Sequence, residues 1–162
     1  MRGFLRRRLA DPLLLLLKQG LAPETLALSL ALGVTLGLFP VLGATTALCA
    51  AAGVALRLSH PALQLANYAV APLQVPLILA FVRLGERFAG AAPMPFSVER
   101  LLLFFREDPL AFLARFGGTG LHAILGWLAV APLLGGALYV GLVPLLRFTA
   151  RRRAATIPAP AA

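Results

Sequence analysis

Charge is scarce in this sequence. Only 13% of its 162 residues are Asp, Glu, Lys or Arg, with six acids in all, against 60% hydrophobic residues and a mean hydropathy of +0.88. Soluble domains carry about 25% charged residues, so this composition excludes an ordinary water-soluble core and points to one compact integral membrane unit. Cysteine is scarcer still. Cys49 is the only one, which rules out an intrachain disulfide, and among Thr45, Thr46, Ala50, Ala51 and Gly53 no base stands ready to activate its thiol. It reads as a small residue at a helix contact. The two histidines, His60 and His122, lack a neighbouring cysteine or carboxylate cluster, so no metal site and no cofactor are expected. Absent too are a nucleophile motif and a phosphate-binding glycine loop, which disfavours an enzyme. The net charge of +9 comes without zinc-ligand spacing or interleaved aromatic and basic residues, and a nucleic-acid partner is therefore not expected.

What the chain does have is three long windows without any charge, 25–56, 58–82 and 116–146. Basic residues sit at the two ends: Arg2 and Arg6, Arg7 and Arg8 before the windows, Arg147 and Arg151, Arg152 and Arg153 after them. Such clusters flanking apolar spans act as anchors to anionic membrane lipids, and the positive-inside rule then puts both termini in the cytoplasm with an even number of crossings. Segment 1–24 fits a basic amphipathic helix at the headgroup level better than a signal peptide, because Asp11-Pro12 and Lys18 leave only Leu13 to Leu17 as an apolar run. Residues 151–162 have no means of packing a core and are expected to form a disordered tail.

The first window, 32 residues, would make a helix of about 48 Å against a hydrocarbon core of about 30 Å. Pro40 near its centre removes a backbone donor and biases Phe39 away from helical geometry, which predicts two short elements, 25–39 and 41–56. Either a re-entrant hairpin or a broken span satisfies this, and the break has to be buried in protein or face water. Small residues recur every four positions in both halves, among them Gly33 and Gly37 in the first and Gly53 in the second. Such stripes serve close helix packing within the chain or, as a second reading, a homodimer contact through Gly33 and Gly37.

The second element, 58–82, suits one tilted span, kinked where Pro72 and Pro76 free carbonyls. Residues 83–115 form the polar connector. Within it Pro93 and Pro95 break the chain, Ser97 and Glu99 open an amphipathic surface helix, and Glu86 with Arg87 reads as a local ion pair. The third window, 116–146, is either one long span or a second broken pair around Pro132 and Gly135-Gly136. The fold class expected is thus an all-α membrane bundle, with a membrane domain over 25–150, a broken or re-entrant first hydrophobic element and an amphipathic surface helix.

Amide side chains inside a bilayer need partners, which singles out Gln64, Asn67 and Gln74. They lie on nearly one face, and with Pro40, the carbonyls freed at Pro72, and His122 they make a candidate polar cavity or helix contact.

The run Ala31-Leu32-Gly33-Val34-Thr35-Leu36-Gly37 leading to Phe39-Pro40, followed by Gly43, Arg57, Asn67, Pro72 and Leu84-Gly85, resembles the DUF2062 family of bacterial membrane proteins. The resemblance covers residues 23–90, and Ala71-Pro72-Leu73-Gln74 stands where many members look to carry Asn-Pro-Leu-Thr. It implies a bacterial inner-membrane location and supplies no reaction. Three functions stay open in descending order: binding or passing a small solute or lipid headgroup as an oligomer or subunit, a non-catalytic scaffold for a membrane-protein partner, and a membrane-surface enzyme.

Overall fold

The computed structural model of the chain describes residues 21–91, 103 and 106–154. No strand occurs among the described residues; the main helices are α1 (Pro23–Gly37), α2 (Ala44–Ala55), α3 (His60–Ala89) and α4 (Pro109–Ala154), and residues 103, 106 and 107 are helical as well. The proposed N-terminal amphipathic segment, with Arg6, Arg7 and Arg8, and the surface helix expected around Ser97 and Glu99 lie outside these residues.

Local chemistry sets the boundaries. α1 opens on Pro23, with Glu24 in the first turn where a negative charge meets the positive helix end. It stops at Gly37 because Pro40 offers no N–H to continue the ladder. The return into α2 passes through Gly43 at φ +86°, a left-handed conformation that a residue with a Cβ adopts only at a cost. α2 ends in a Schellman pattern, in which the Leu58 N–H reaches back to the Gly53 carbonyl at 2.9 Å. Its left-handed position is filled by Arg57 at φ +52°, the one non-glycine residue with positive φ among those described. Ser59 then caps α3, accepting from the Ala62 N–H, and Gly90 at φ +64° closes it, with the Ala91 N–H on the Glu86 carbonyl at 2.9 Å. Asp108 caps α4 by accepting the N–H groups of Leu110 and Ala111 at 3.0 and 2.9 Å.

Three boundaries differ from the sequence expectation. α3 does not end at Val82 but runs seven residues into the expected connector, to Ala89, and α4 starts at Pro109 and continues through Arg151, Arg152 and Arg153 to Ala154. The third window is therefore one continuous 46-residue helix that carries Pro132 and Pro144 inside it, rather than a broken pair. A proline opens one rung of a helical ladder, and a long apolar helix keeps its other rungs because nothing competes for them in an apolar surrounding.

The contacts fix the packing order. Gly33 and Gly37 of α1 face Leu63 to Ala66 and Asn67 to Val70 of α3, so the two helices run parallel. α2 runs back alongside them, with Thr46 opposite Gln64 and Gly53 against the ring of His60. α4 is antiparallel to both, joining Trp127 to Thr35 in the middle and Arg147 to Glu24 at the end. α1 and α2 thus form a hairpin that enters from one end of the bundle and turns beside Gln74. That residue lies 14 positions into α3, about 21 Å along its axis.

Between lipid-like surfaces apolar burial gives little drive to association, and close backbone approach takes over. Three buried clusters hold the helices: Leu26, Ala27, Leu30, Ala62, Ala66 and Leu146; then Leu38, Phe81, Val82 and Ala123; then Cys49, Leu58 and Leu63. The tightest crossing joins α3 and α4. A Cβ added at Gly85 would land on the His122 carbonyl oxygen, and one at Gly126 on the Phe81 carbonyl oxygen. Two helices, His60–Ala89 and Gly117–Arg151, are long and apolar enough to cross a membrane, with mean hydropathies of 1.7 and 2.0. The outer face of the second is open, with Leu133 and Val140 at 75% and 70% exposure.

Candidate functional site: a braced helix break

The break between α1 and α2 orphans backbone carbonyls, and the bundle answers with side chains from two other helices. The Phe39 N–H turns tightly onto the Leu36 carbonyl at 3.1 Å. In a regular helix it would have served Thr35, whose carbonyl instead accepts the Trp127 indole N–H at 3.0 Å. The Phe39 carbonyl would have been met by the N–H of residue 43 had the helix continued. Gln74 takes that place, donating from Nε2 at 2.8 Å. The Phe39 ring also stands edge-on to Trp127, with centroids 5.0 Å apart and planes at 87°.

A second set of bonds ties α3 to α2. Gln64 donates from Nε2 to the Thr46 carbonyl at 3.1 Å, and its Oε1 accepts from Asn67 Nδ2 at 3.2 Å. Asn67 and Gln74 are buried, and no buried side-chain nitrogen or oxygen among the described residues lacks a partner. The polar groups in this region are therefore mutually satisfied. Ser29 extends the pattern towards the hairpin's open end, donating to the Thr25 carbonyl at 2.7 Å and accepting the Ser59 N–H at 3.1 Å.

Of the residues singled out from sequence, the structure brings Gln64, Asn67 and Gln74 together along one side of α3, with Pro40 half-buried just past the Phe39 carbonyl that Gln74 holds. Pro72 and Pro76 are exposed on the opposite side, so the carbonyls they free do not join the amides. His122 sits at the far end, where its backbone packs on Gly85. Gln64 with Asn67, Gln74 beside Pro40, and His122 thus make contacts at three separate places, with Pro72 outside them. Gly33 and Gly37 are occupied by α3 of the same chain: a Cβ at Gly33 would come within 2.5 Å of the Leu63 carbonyl oxygen, and one at Gly37 within 2.9 Å of Asn67 Cα. That removes their face from any homodimer contact. Gly53 likewise receives the ring of His60.

Sequence reasoning missed Trp127, Thr35, Gly85 and Gly126. A lone Trp at mid-helix with an indole N–H to satisfy was the available signal for the first of these. The glycine crossing left no sequence sign of which partner it meets.

Charge is held at the two ends. At the hairpin's open end Arg147 Nε donates to Glu24 Oε1 at 2.6 Å. Its own backbone N–H and then the Arg147 guanidinium hold the Glu24 carboxyl below its ordinary range. At the other end Glu86 is buried and pairs with Arg83 at 3.1 Å, one turn earlier on α3, rather than with the exposed Arg87. A groove of about 310 Å³ lies beside Val143, Pro144, Arg147, Phe148 and Arg151. No group of three metal-ligating side chains occurs among the described residues.

Residues 5–155 match the model of a family described as an uncharacterized protein conserved in bacteria, DUF2062. The match covers nearly the whole chain, and the chain belongs to that family. No curated protein and no solved structure matches it.

Proposed function

We propose that this DUF2062 member is a multi-pass protein of the bacterial inner membrane, in which α3 and α4 cross the bilayer and α1 and α2 form a re-entrant hairpin. It works as an oligomer in which the hairpin tips line a water-filled path or binding place for a small solute or lipid headgroup. One observation carries this reading. Val41, Leu42 and Gly43, at the turn of the hairpin, are exposed on the single chain at a depth of about 21 Å along α3. Non-helical backbone at such depth is tolerated only against protein or water, so the tip needs a second chain, an aqueous path, or both. The basic residues Arg57, Arg147 and Arg151 share one end of the bundle, which by the positive-inside rule is the cytoplasmic one.

A scaffold that supports a membrane-protein partner is the second reading. It is favoured by Gln64 and Gln74, which spend N–H groups on backbone carbonyls instead of facing an open space.

Cysteine mapping in a Cys49→Ala background tests both. Arg57→Cys is expected to react from the cytoplasmic side and Arg87→Cys from the periplasmic side; reaction of both from one side overturns the topology. Leu42→Cys is expected to react with a water-soluble maleimide in intact membranes. Oxidative cross-linking between Leu42→Cys copies without maleimide reaction supports the scaffold. A chain that is monomeric in detergent and protected from both reagents refutes the two readings together.

A further inference from the structure

The groove at the C-terminal end of α4 is a mixed surface that neither the hairpin nor the proposed path uses. Its walls are apolar, from Val143, Pro144 and Phe148, and two guanidinium groups stand along it one turn apart, on Arg147 and Arg151. Arg147 is oriented by Glu24, which engages its Nε and leaves both η nitrogens without a partner among the described residues. Arg151 is exposed and has no carboxylate partner among the described residues either. The groove lies where the apolar stretch Gly117–Arg151 gives way to its basic end.

We infer that this groove binds one anionic glycerophospholipid of the cytoplasmic leaflet. The phosphodiester sits between Arg147 and Arg151, and an acyl chain lies on Phe148, Pro144 and Val143 towards the bilayer centre. This rests on the proposed membrane placement of α4. Arginine is suited to the task because its planar fork donates two parallel hydrogen bonds to phosphate oxygens. The walls match the other half of the ligand, since a headgroup alone would gain nothing from Val143 and Phe148. Glu24 acts as a positioning residue: it holds the guanidinium across the mouth of the groove while using only one of its donors.

The test is native mass spectrometry of the full-length chain in a zwitterionic detergent, titrated with phosphatidylglycerol and with phosphatidylcholine of matched acyl chains. Each interfacial arginine contributes a preference of about fivefold, so the pair is expected to favour phosphatidylglycerol by about thirtyfold. Arg151→Gln is expected to lower that preference to about fivefold, and Arg147→Gln with Arg151→Gln to abolish it. Glu24→Gln, which keeps both guanidinium groups but releases one of them from its hold across the groove, is expected to lower the preference without abolishing it. Equal binding of the two lipids by the wild-type chain overturns the inference, as does a preference that survives the double substitution. Competition by inorganic phosphate at concentrations that leave the acyl contacts intact also overturns it, by showing a plain anion site. A chain that stays monodisperse without detergent would instead defeat the membrane reading itself, a separate result from lost lipid selectivity.

Discussion

Replacing Gln74 with Met isolates the strongest brace on the helix break. The two side chains have similar length and volume, so packing changes little, while the partly buried Phe39 carbonyl loses its 2.8 Å donor. Leaving a buried acceptor unmet costs about 1–3 kcal/mol, and hydrogen bonds between membrane helices measure about 0.6 kcal/mol on average, up to about 1.7. The overlap puts the substitution at about 1–2 kcal/mol, a rise of about 5–30-fold in the population in which the 38–43 segment has left Gln74. Thiol labelling of Leu38→Cys, a position buried in the folded chain, with Cys49→Ala in every variant, reads that population when opening is fast relative to reaction. The labelling rate is expected to rise by the same factor and the thermal midpoint in detergent to fall. Trp127→Phe supplies the companion measurement, since it keeps the edge-on contact with Phe39 and removes only the bond to Thr35. Because the two side chains serve carbonyls only four residues apart, at Thr35 and Phe39, the double variant should deviate from additivity by about 0.5 kcal/mol or more. Unchanged labelling and an unchanged midpoint in Gln74→Met would refute the idea that side-chain donors keep the break in place.

Four further outcomes follow from the same geometry. Gly126→Ala sets a methyl against the Phe81 backbone and is expected to destabilise by about 1–3 kcal/mol. Gly136→Ala, whose Cβ would meet nothing, is expected to be neutral or stabilising by up to about 1 kcal/mol, with thermal unfolding in detergent separating the two. Arg57→Gly relieves a left-handed non-glycine residue and should raise stability by up to about 1 kcal/mol, so a clear fall in the midpoint would show that the side chain makes a contact worth more than the strain. Glu24 has a folded-state pKa below its unfolded value, so its contribution is present above the ordinary carboxylate range and is lost as pH falls through the folded value. Glu24→Gln should flatten that acid limb of the midpoint-against-pH curve, leaving the neutral-pH end little changed because the pair is largely exposed.

Much of this architecture can be read from residue order because its signals are local. Pro40 between Gly37 and Gly43 announces the break, Ser59 with Pro61 announces the start of α3, and the uncharged windows announce helices fit for a bilayer. What could not be read depends on partners distant in the chain or on solvent. Pro132, Gly135 and Gly136 left one long span and a broken pair both open, and α4 is continuous because whether proline and glycine interrupt a helix depends on what serves the freed backbone. Gln64, Asn67 and Gln74 are visible as an amide face, but whether such a face meets a cavity or a neighbouring carbonyl depends on α2 and the 38–43 segment packing there. Glu86 was assigned to Arg87 by adjacency, whereas on a helix the partner three positions away is the one alongside.

The braces on the helix break also impose an order on biogenesis. The hairpin leaves the ribosome before either residue that completes it: Gln74 comes 35 residues after the carbonyl it serves, and Trp127 comes 92 after its own. At ordinary synthesis rates the second interval lasts on the order of 5–20 s. During that time α1 and α2 hold unmet carbonyls, which the headgroup region can hydrate and the acyl region cannot. In the proposed re-entrant placement, the hairpin waits at the membrane surface or beside the translocon, and sinks to its final depth only when α3 and α4 have arrived to receive it.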